Sequence, residues 1–292
     1  MAIPSSINSV QLLPADRSES VPTKPFAPHP PTPGRYGNSE AYERYMGRWS
    51  RLLAQKFLGF IALESVNSVL DVGAGTGALT TVLAKDTDIP RIVGIDPIEA
   101  FVHAARRDSG DRRLRFDVGH AGDLPYPDDA FDATLAQLSF HHFPDPDAAL
   151  RQMQRVTRSG GLVAACDWDA GPSMELFYVL WDTLAEIYPP ALDAKNLRSY
   201  AGPGRLQNHW RAAGLKHIEE TALVVPLAFA DFDDFWTPFV GSPSSVLVQL
   251  ARLSPALRRN FRAALKKRLL SGKNEGPFTL HARAWAVRGT VP

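Results

Sequence analysis

The stretch SVLDVGAGTG, residues 68–77, decides the fold. The apolar residues on either side of Asp71 predict a buried strand, because they form a short run that ends at glycines. Gly73, Gly75 and Gly77 follow at alternate positions, where the missing Cβ atoms let the chain turn sharply. A ligand can then lie against bare backbone, beside the amide donors at the start of a helix. The stretch therefore predicts a strand, a ligand-binding turn and a helix.

Outward from this stretch, strand and helix patterns alternate along the chain. Short apolar runs predict further strands at residues 91–96, 114–118, 131–138 and 162–167. One of the intervening helices begins at Asp145-Pro146, an N-cap followed by proline, and ends near Arg158 before Gly160-Gly161. Such alternation predicts right-handed crossovers and an α/β fold with a doubly wound, Rossmann-like parallel sheet.

The chain on either side of these units has a different pattern. Before them, Asn38 or Ser39 caps a predicted helix that runs to about Gly47, and residues 49–61 form a second helix. After them, residues 216–227 and 279–288 form two long strands that enclose further helices. We interpret residues 228–275 as a helical cap over the ligand edge of the sheet, with additional core packing as the alternative.

The first 33 residues contain eight of the 24 prolines in the chain. Proline lacks an N–H and fixes φ, so this segment favours extended conformers without a core. We expect residues 1–33 to be a disordered leader, with a proline-rich ligand for a partner domain as the alternative. Because the segment lacks an apolar core after a basic start, it does not resemble a signal peptide. Residues 34–292 then form one domain.

Charge and composition restrict the class of function. The chain has 292 residues, and 32 Lys and Arg stand against 31 Asp and Glu, so net charge does not favour nucleic acid or a membrane surface as a partner. The one cysteine, Cys166, excludes an internal disulfide framework and a cysteine-based metal cluster. No apolar run is long enough to span a membrane. We expect a cytoplasmic protein that acts on a small molecule.

The glycine pattern alone fits two classes of cofactor: a dinucleotide, which carries a pyrophosphate, and an adenosine-bearing ligand that carries an ammonium and a sulfonium. Gly73, Gly75 and Ala78 also satisfy the dinucleotide fingerprint with alanine in third place. Asp96, at the end of the second predicted strand, stands where a carboxylate accepts hydrogen bonds from the ribose of an adenosine-bearing ligand. Asp71 distinguishes the two classes, because a carboxylate before the turn repels a pyrophosphate but suits an ammonium and a sulfonium.

With the segment Gly119–Asp132 added to this set, the sequence resembles the class I S-adenosylmethionine-dependent methyltransferases. It is most similar to the small-molecule group that includes the ubiquinone and menaquinone biosynthesis enzymes. The matching pieces also include Val69–Gly77, Gly94–Asp96, Ser139–Phe143 and Arg155–Gly161. The resemblance covers about residues 36–290. It implies a seven-stranded sheet with an antiparallel last strand, N-terminal helices and a helical cap inserted before that strand.

The resemblance implies S-adenosyl-L-methionine as the cofactor and a set of residues that bind it. That set comprises Asp71, Gly73, Ala74, Gly75, Gly77, Asp96, Pro97, Ile98, His120, Ala121, Leu138, Tyr42, Tyr45 and Arg48. The glycines would line the methionine and ribose portion, with Asp71 near the amino group. Asp96 would hold the ribose diol, and Ile98 or Pro97 would pack on the adenine.

The remaining members of the set close the proposed site. Leu138 would offer its backbone carbonyl to the methionine ammonium. Tyr42, Tyr45 and Arg48 would cover the cofactor from the N-terminal helix, with Arg48 directed toward its carboxylate. His120 stands where the family usually has an aspartate that accepts from the adenine amino group, and only a neutral imidazole can accept there.

Two adjacent histidines are the candidate catalytic groups. His141 and His142 follow the fourth predicted strand and face the expected position of the methyl acceptor. A histidine pKa near 6.5 suits a general base, which is needed only if the acceptor must first lose a proton. Of the two, we favour His142, and a loop-bracing role is the alternative for either. We expect no metal site, since adjacent histidines are poor joint ligands and no acidic or cysteine set completes one.

These features together predict methyl transfer to a small, partly apolar molecule by in-line displacement, in which alignment of the reactants supplies most of the effect. Oxygen, nitrogen and carbon remain open as acceptor atoms. One alternative is a cofactor-binding protein on the same fold that does not methylate, such as a cyclase, an isomerase or a regulatory protein. A third is an NAD-dependent oxidoreductase. The segment Gln137–Phe140 lacks the proline-rich motif that nucleic-acid amino-methyltransferases carry after strand four.

Overall fold

The computed structural model describes residues 43–169, 173–189, 202–240, 245–273 and 275–292. Residues 1–33 and the predicted helix start at Asn38 or Ser39 lie outside these ranges. Within them, no helix is long and apolar enough to cross a membrane. The cytoplasmic location stays a prediction.

Seven strands form one sheet in the order β3-β2-β1-β4-β5-β7-β6. Their bounds are Ser68–Val72 (β1), Arg91–Asp96 (β2), Leu114–Val118 (β3), Phe131–Gln137 (β4), Thr157–Trp168 (β5), Lys216–Phe229 (β6) and Phe278–Thr290 (β7). Strands β1 to β5 are parallel, and β7 runs antiparallel to both β5 and β6. The predicted doubly wound sheet with an antiparallel last strand is confirmed. The strand order reverses between β1 and β4, which is where open α/β sheets bind ligands.

Nine helices accompany the sheet within the described ranges. Their bounds are Arg48–Ile61 (α1), Ala78–Asp86 (α2), Glu99–Asp108 (α3), Pro146–Val156 (α4), Glu175–Ile187 (α5), Arg205–Ala212 (α6), Phe232–Val240 (α7), Ser245–Ala251 (α8) and Pro255–Leu269 (α9). A short π-helical turn, Glu43–Gly47, precedes α1. The predicted cap of α4 is present, because the Asp145 carboxylate accepts from the Ala148 N–H at 2.8 Å.

The two faces of the sheet carry separate cores. Side chains such as Val69 and Leu135 point toward α1, α2 and α5, and we call this side the α1 face. Alternate residues such as Leu70 point to the opposite side, where α4 and α6 pack. Helices α7, α8 and α9, here called the insertion, join the core of the α1 face through Phe235 and Phe261. The insertion therefore packs beside α1 and α5; its role as a cap over the ligand edge stays a prediction.

Strand β5 begins five residues earlier than the sequence predicts. The expectation that α4 continues to about Arg158 is wrong, since the helix ends at Val156. The pairing partners are Phe131 with Thr157 and then Ala133 with Leu162, so the intervening residues of β5 form a bulge. Gly160 and Gly161, which were predicted to end the helix, therefore lie inside β5, where they permit the bulge.

Candidate active site

The glycine turn after β1 is held from two sides. The N–H groups of Gly73 and Ala74 donate to the carbonyl of Ile95 in β2, at 2.7 and 3.0 Å. Gly73 has a φ of +77°, and a Cβ atom there would lie 2.4 Å from the Cβ of Ser139. The Ser139 hydroxyl in turn donates to the Val72 carbonyl at 2.7 Å. Gly73 is required because the turn passes directly against the segment that follows β4.

Asp71 lies beneath this turn on the α1 face. Its side chain is buried, and neither carboxylate oxygen has a hydrogen-bond partner among the described residues. Burial, with the nearby charge of Asp96, raises the pKa of Asp71 to about 8. A buried carboxylate without a partner is costly, and a cation beside it would offset that cost. The site therefore fits a ligand that carries an ammonium group, as S-adenosylmethionine does.

Asp96 lies at the carboxyl end of β2 and contacts the same turn. Its Oδ2 accepts from the Gly75 N–H at 2.9 Å, and its Oδ1 accepts from the Ile98 N–H at 2.8 Å. Burial raises the pKa of this carboxyl, while the two backbone donors and His120 act in the opposite direction. Each oxygen keeps a second lone pair for another donor. This geometry can accept hydrogen bonds from a diol without losing its backbone anchors.

Four of the predicted adenine-side residues follow β2 and β3. Pro97 is exposed, and Ile98 is half-buried. His120 is exposed and Ala121 half-buried. The strand ends that carry these residues are joined by the Gly119 N–H, which donates to the Asp96 carbonyl at 3.2 Å. The structure thus brings the four residues to one edge of the sheet, next to Asp96.

Leu138 adopts a left-handed conformation at the end of β4. Its φ is +57°, a region that costs about 1–2 kcal/mol for a residue with a side chain. Its N–H donates to the Cys166 carbonyl at 2.7 Å, which holds the strained residue against β5. Cys166 itself is buried, and burial raises the pKa of its thiol well above the ordinary value, so it is unsuited to nucleophilic chemistry.

The N-terminal turn contacts the glycine turn through a residue that the sequence did not single out. The Glu43 carboxylate accepts from the Thr76 hydroxyl and from Arg51, the latter at 2.8 Å. Tyr45 belongs to the same turn, whereas Tyr42 and the Tyr45 side chain lie outside the described part. Glu43 is adjacent to Tyr42 in the sequence, and its position beside the predicted tyrosines could have indicated that it also lies near the glycine turn.

Arg48 pairs with the insertion. Its guanidinium lies 3.0 Å from an Asp234 carboxylate oxygen and 4.0 Å from the centroid of the Trp49 ring. The Phe229 ring lies on the same guanidinium at 5.1 Å. Arg48 therefore joins α1 to β6 and α7, and its predicted contact with a cofactor carboxylate stays a prediction.

The two candidate histidines have different surroundings. His141 Nδ1 lies 2.8 Å from Asp167 Oδ1, and the His141 N–H donates to Asp167 Oδ2 at 3.1 Å. Asp167 is fully buried, and the His141 side chain is only 11% exposed. His142 is exposed, and its ring centroid lies 3.8 Å from that of His141. The geometry favours His141 over the His142 that sequence reasoning preferred, because a buried carboxylate fixes the His141 ring.

Asp167 was missed at the sequence level. It is the penultimate residue of β5, the strand next to β4, and no local sequence pattern indicates that it pairs with His141. Trp168 and Trp181 are buried on the α1 face, and Tyr178 is 39% exposed. Within the described ranges, no three His, Cys, Asp or Glu side chains are grouped so that they could hold a metal ion.

Comparison with known proteins adds family evidence to this geometry. A family model described as "Methyltransferase domain" matches residues 70–165, from β1 into β5. A 27-O-demethylrifamycin SV methyltransferase of Amycolatopsis mediterranei is 31% identical over 168 residues, which are 56% of this chain and 59% of that protein. A demethylmenaquinone methyltransferase of Deinococcus radiodurans is 29% identical over 183 residues, or 58% of this chain and 74% of that protein. The chain thus spans less than two thirds of the rifamycin relative.

Solved structures give the same fold at lower identity. The YcgJ protein of Bacillus subtilis superposes with a TM-score of 0.53 at 20% identity, covering 83% of this chain and 98% of that one. The phosphoethanolamine N-methyltransferase 2 of Haemonchus contortus, solved in complex with S-adenosyl-L-methionine, has a TM-score of 0.53 at 15% identity. That match covers 88% of this chain and 57% of the other. At such identities the likeness shows the fold.

Proposed function

We propose that the chain is a class I S-adenosylmethionine-dependent methyltransferase and transfers a methyl group from S-adenosylmethionine to a small, partly apolar molecule, which the match of residues 70–165 to a methyltransferase domain model supports. The observation that carries the proposal is Asp71, a buried carboxylate without a partner among the described residues, directly beneath the glycine turn. A cationic ligand resolves that cost, whereas a pyrophosphate would increase it. The family assignment removes the basis for the NAD-dependent alternative.

The cofactor would lie along the carboxyl ends of β2, β1 and β4. Asp71 and the Leu138 carbonyl would hold the ammonium, and Asp96 would accept from the ribose hydroxyls. Pro97, Ile98, His120 and Ala121 would surround the adenine. The bound cofactor supplies an electrophilic methyl group on a sulfonium.

The protein then has to bind the cofactor and the acceptor, align them with each other, and exclude water. In-line displacement needs the acceptor atom opposite the departing sulfur, and correct alignment can contribute about 7–11 kcal/mol in favourable cases. Leu138 contributes through its strained backbone, which is fixed by Cys166 before any ligand arrives. A preformed backbone costs nothing further on binding, and this favours the productive orientation.

We assign the general base to His141, with Asp167 as its positioning residue. In this assignment, His141 Nδ1 donates to Asp167 Oδ1, and Nε2 is the nitrogen that acts as the base. Nε2 can then take a proton from an acceptor hydroxyl or amine as the new bond to the methyl carbon forms. Carbon acceptors that are already nucleophilic would need this step less.

The acceptor class rests on chemistry shared with the relatives. The named relatives act on a rifamycin and on demethylmenaquinone, according to their descriptions. The core of the α1 face contains apolar and aromatic side chains such as Trp49, Met174 and Trp181. Such surroundings favour a partly apolar acceptor over a sugar or a nucleotide.

Calorimetric titration tests the cofactor half of the proposal. S-adenosylhomocysteine should bind and NAD should not, and Asp96→Ala should weaken the binding of S-adenosylhomocysteine at least tenfold. The matched control is Asp117→Ala, a carboxylate removed from the next strand, which should leave the dissociation constant unchanged. Absence of S-adenosylhomocysteine binding by the unaltered protein would contradict the proposal. Binding without methyl release over a broad acceptor panel would favour the non-methylating alternative.

A further inference from the structure

Two buried polar groups beside the proposed methyl-transfer site have no hydrogen-bond partner in the part of the chain that the structure describes. Gln137 is 8% exposed and Trp168 is 7% exposed. Neither Gln137 Oε1 nor Trp168 Nε1 has a hydrogen-bond partner among the described residues. The other end of the Gln137 amide is fixed, because its Nε2 donates to the Ser50 carbonyl of α1 at 3.0 Å. The Oε1 atom is therefore held in one orientation by the fold.

The strand register brings these two residues together. Gln137 is the last residue of β4 and pairs with Cys166 of β5. Trp168 is two residues beyond Cys166 and so lies on the same face, diagonal to Gln137. Asp71 shares this face, since its partner Leu135 stands two residues before Gln137 in β4. Asp71, Gln137 and Trp168 form a row along the carboxyl ends of three adjacent strands.

The order of the row separates two ligand positions. Asp71 lies beneath the glycine turn, where the methyl donor would bind. Gln137 and Trp168 lie one and two strands farther along, on the side of the molecule where α1, α5 and the insertion pack. A molecule held there would be next to the donor without competing for Asp71. His141, which follows β4, is near the same end of the sheet.

The chemistry of the pair defines what it can bind. Gln137 Oε1 only accepts hydrogen bonds, and the Trp168 indole N–H only donates. A single group that satisfies both must donate and accept hydrogen bonds, as a hydroxyl does. A carbonyl or an ether oxygen satisfies only the tryptophan, and a C–H bond satisfies neither. Leaving either buried group unpaired is unfavourable, so the pair discriminates against such ligands.

We propose that Gln137 and Trp168 form a subsite for a hydroxyl group of the methyl acceptor. Gln137 Oε1 accepts the hydroxyl hydrogen, and the Trp168 indole N–H donates to the hydroxyl oxygen. The subsite rests on the proposed function and narrows it, because the acceptor is then a hydroxylated molecule with an otherwise apolar body. Both residues select and position the acceptor, whereas His141 carries the proton transfer.

Paired probes test the subsite by calorimetry on protein saturated with S-adenosylhomocysteine. The probes are naphthalen-2-ol and 2-methylnaphthalene, which differ in the hydroxyl. The unaltered protein should bind naphthalen-2-ol about tenfold more tightly, and Trp168→Phe and Gln137→Met should each lose that preference. Equal affinity for the two probes, or an unchanged preference in both variants, overturns the proposal.

Trp210→Phe is the matched control variant. The Trp210 indole N–H is also buried, but it donates to the Val163 carbonyl at 2.9 Å and lies in the core of the opposite face. The same atom is removed in both tryptophan variants, so a general effect of losing an indole N–H would appear in each. The control should lose stability and retain the preference for naphthalen-2-ol.

Nuclear magnetic resonance of the unaltered protein gives a test that does not depend on a variant keeping its fold. Comparison with Trp168→Phe assigns the Trp168 indole resonance. Naphthalen-2-ol should move that indole proton downfield, and 2-methylnaphthalene should not; an unmoved resonance overturns the subsite. Titration of S-adenosylhomocysteine comes first. If it does not bind, the proposed function fails, whereas binding without hydroxyl preference overturns the subsite alone.

Discussion

Asp71 should lose its proton when S-adenosylhomocysteine binds, and the loss can be counted. In the ligand-free protein the pKa of Asp71 is raised from 3.8 to about 8, by burial and by Asp96. At about pH 7 the carboxyl is therefore mostly neutral. A neighbouring ammonium lowers a carboxyl pKa by about 1–3 units. Binding should then release roughly half a proton to one proton for each ligand bound.

Two charged or titratable groups besides the ligand face Asp71. Asp96 acts on it across the turn, and Asp71 in turn contributes to the raised pKa of the Cys166 thiol of β5. The thiol stays neutral, since burial raises its pKa well above the ordinary value. Among the described residues, Asp96 could contribute to the same count, because burial also raises its pKa.

Calorimetry in two buffers of different ionisation enthalpy, phosphate and Tris at the same pH, measures this count. The difference between the two observed enthalpies, divided by the difference between the ionisation enthalpies of the two buffers, gives the number of protons released. Asp71→Asn keeps the shape of the side chain and cannot ionise, so it should release none. Release that persists in Asp71→Asn comes from another group, and the double variant with Asp96→Asn tests whether that group is Asp96. Equal enthalpies in the two buffers for the unaltered protein would refute the reasoning.

Three further predictions concern stability and turnover. The neutral form of Asp71 stabilises the folded protein at low pH, and this stabilisation declines as pH rises toward the raised pKa of about 8. Asp71→Asn does not have this pH dependence, so its free energy of unfolding in urea should increase relative to that of the unaltered protein by about 1.4 kcal/mol per pH unit between about pH 5 and 8. A constant difference between the two proteins would contradict this. Gly73→Ala should lower the free energy of unfolding by about 3 kcal/mol, because its backbone is strained and the new Cβ overlaps Ser139. Gly75→Ala should lower it by about 1 kcal/mol, because a Cβ there meets no described atom within 4 Å. Equal losses in the two variants would argue against the overlap. His141→Ala should reduce kcat about 100-fold and Asp167→Asn should lower kcat by a smaller factor, both with unchanged affinity for S-adenosylhomocysteine; retained turnover in His141→Ala would return the base to His142.

The fold was predictable because its evidence is local. The apolar runs around Asp71 and Asp96 have the length of buried strands, and Asp145-Pro146 is a cap that needs no tertiary context. The error at the start of β5 has a local cause too, since the pair Gly160-Gly161 is as suitable for a bulge as for a helix end.

The candidate site was only partly predictable, because its polar contacts join distant parts of the chain. Asp167 lies 26 residues from His141, and the partner of Arg48 lies 186 residues away in the insertion. No periodicity in the sequence indicates such pairs. The roles of Gln137 and Trp168 depend on which buried atoms lack partners, a property of packing alone.

Transfer of labelled methyl from S-adenosylmethionine to a panel of hydroxylated aromatic molecules is the most direct test of the central claim. Each panel member is paired with its deoxy counterpart. We expect label on hydroxylated members only, and loss of that label in Asp96→Ala at a donor concentration near the dissociation constant of the unaltered protein. If S-adenosylhomocysteine binds but no panel member acquires label, the chain is a cofactor-binding protein that does not methylate these acceptors, and the central claim is contradicted.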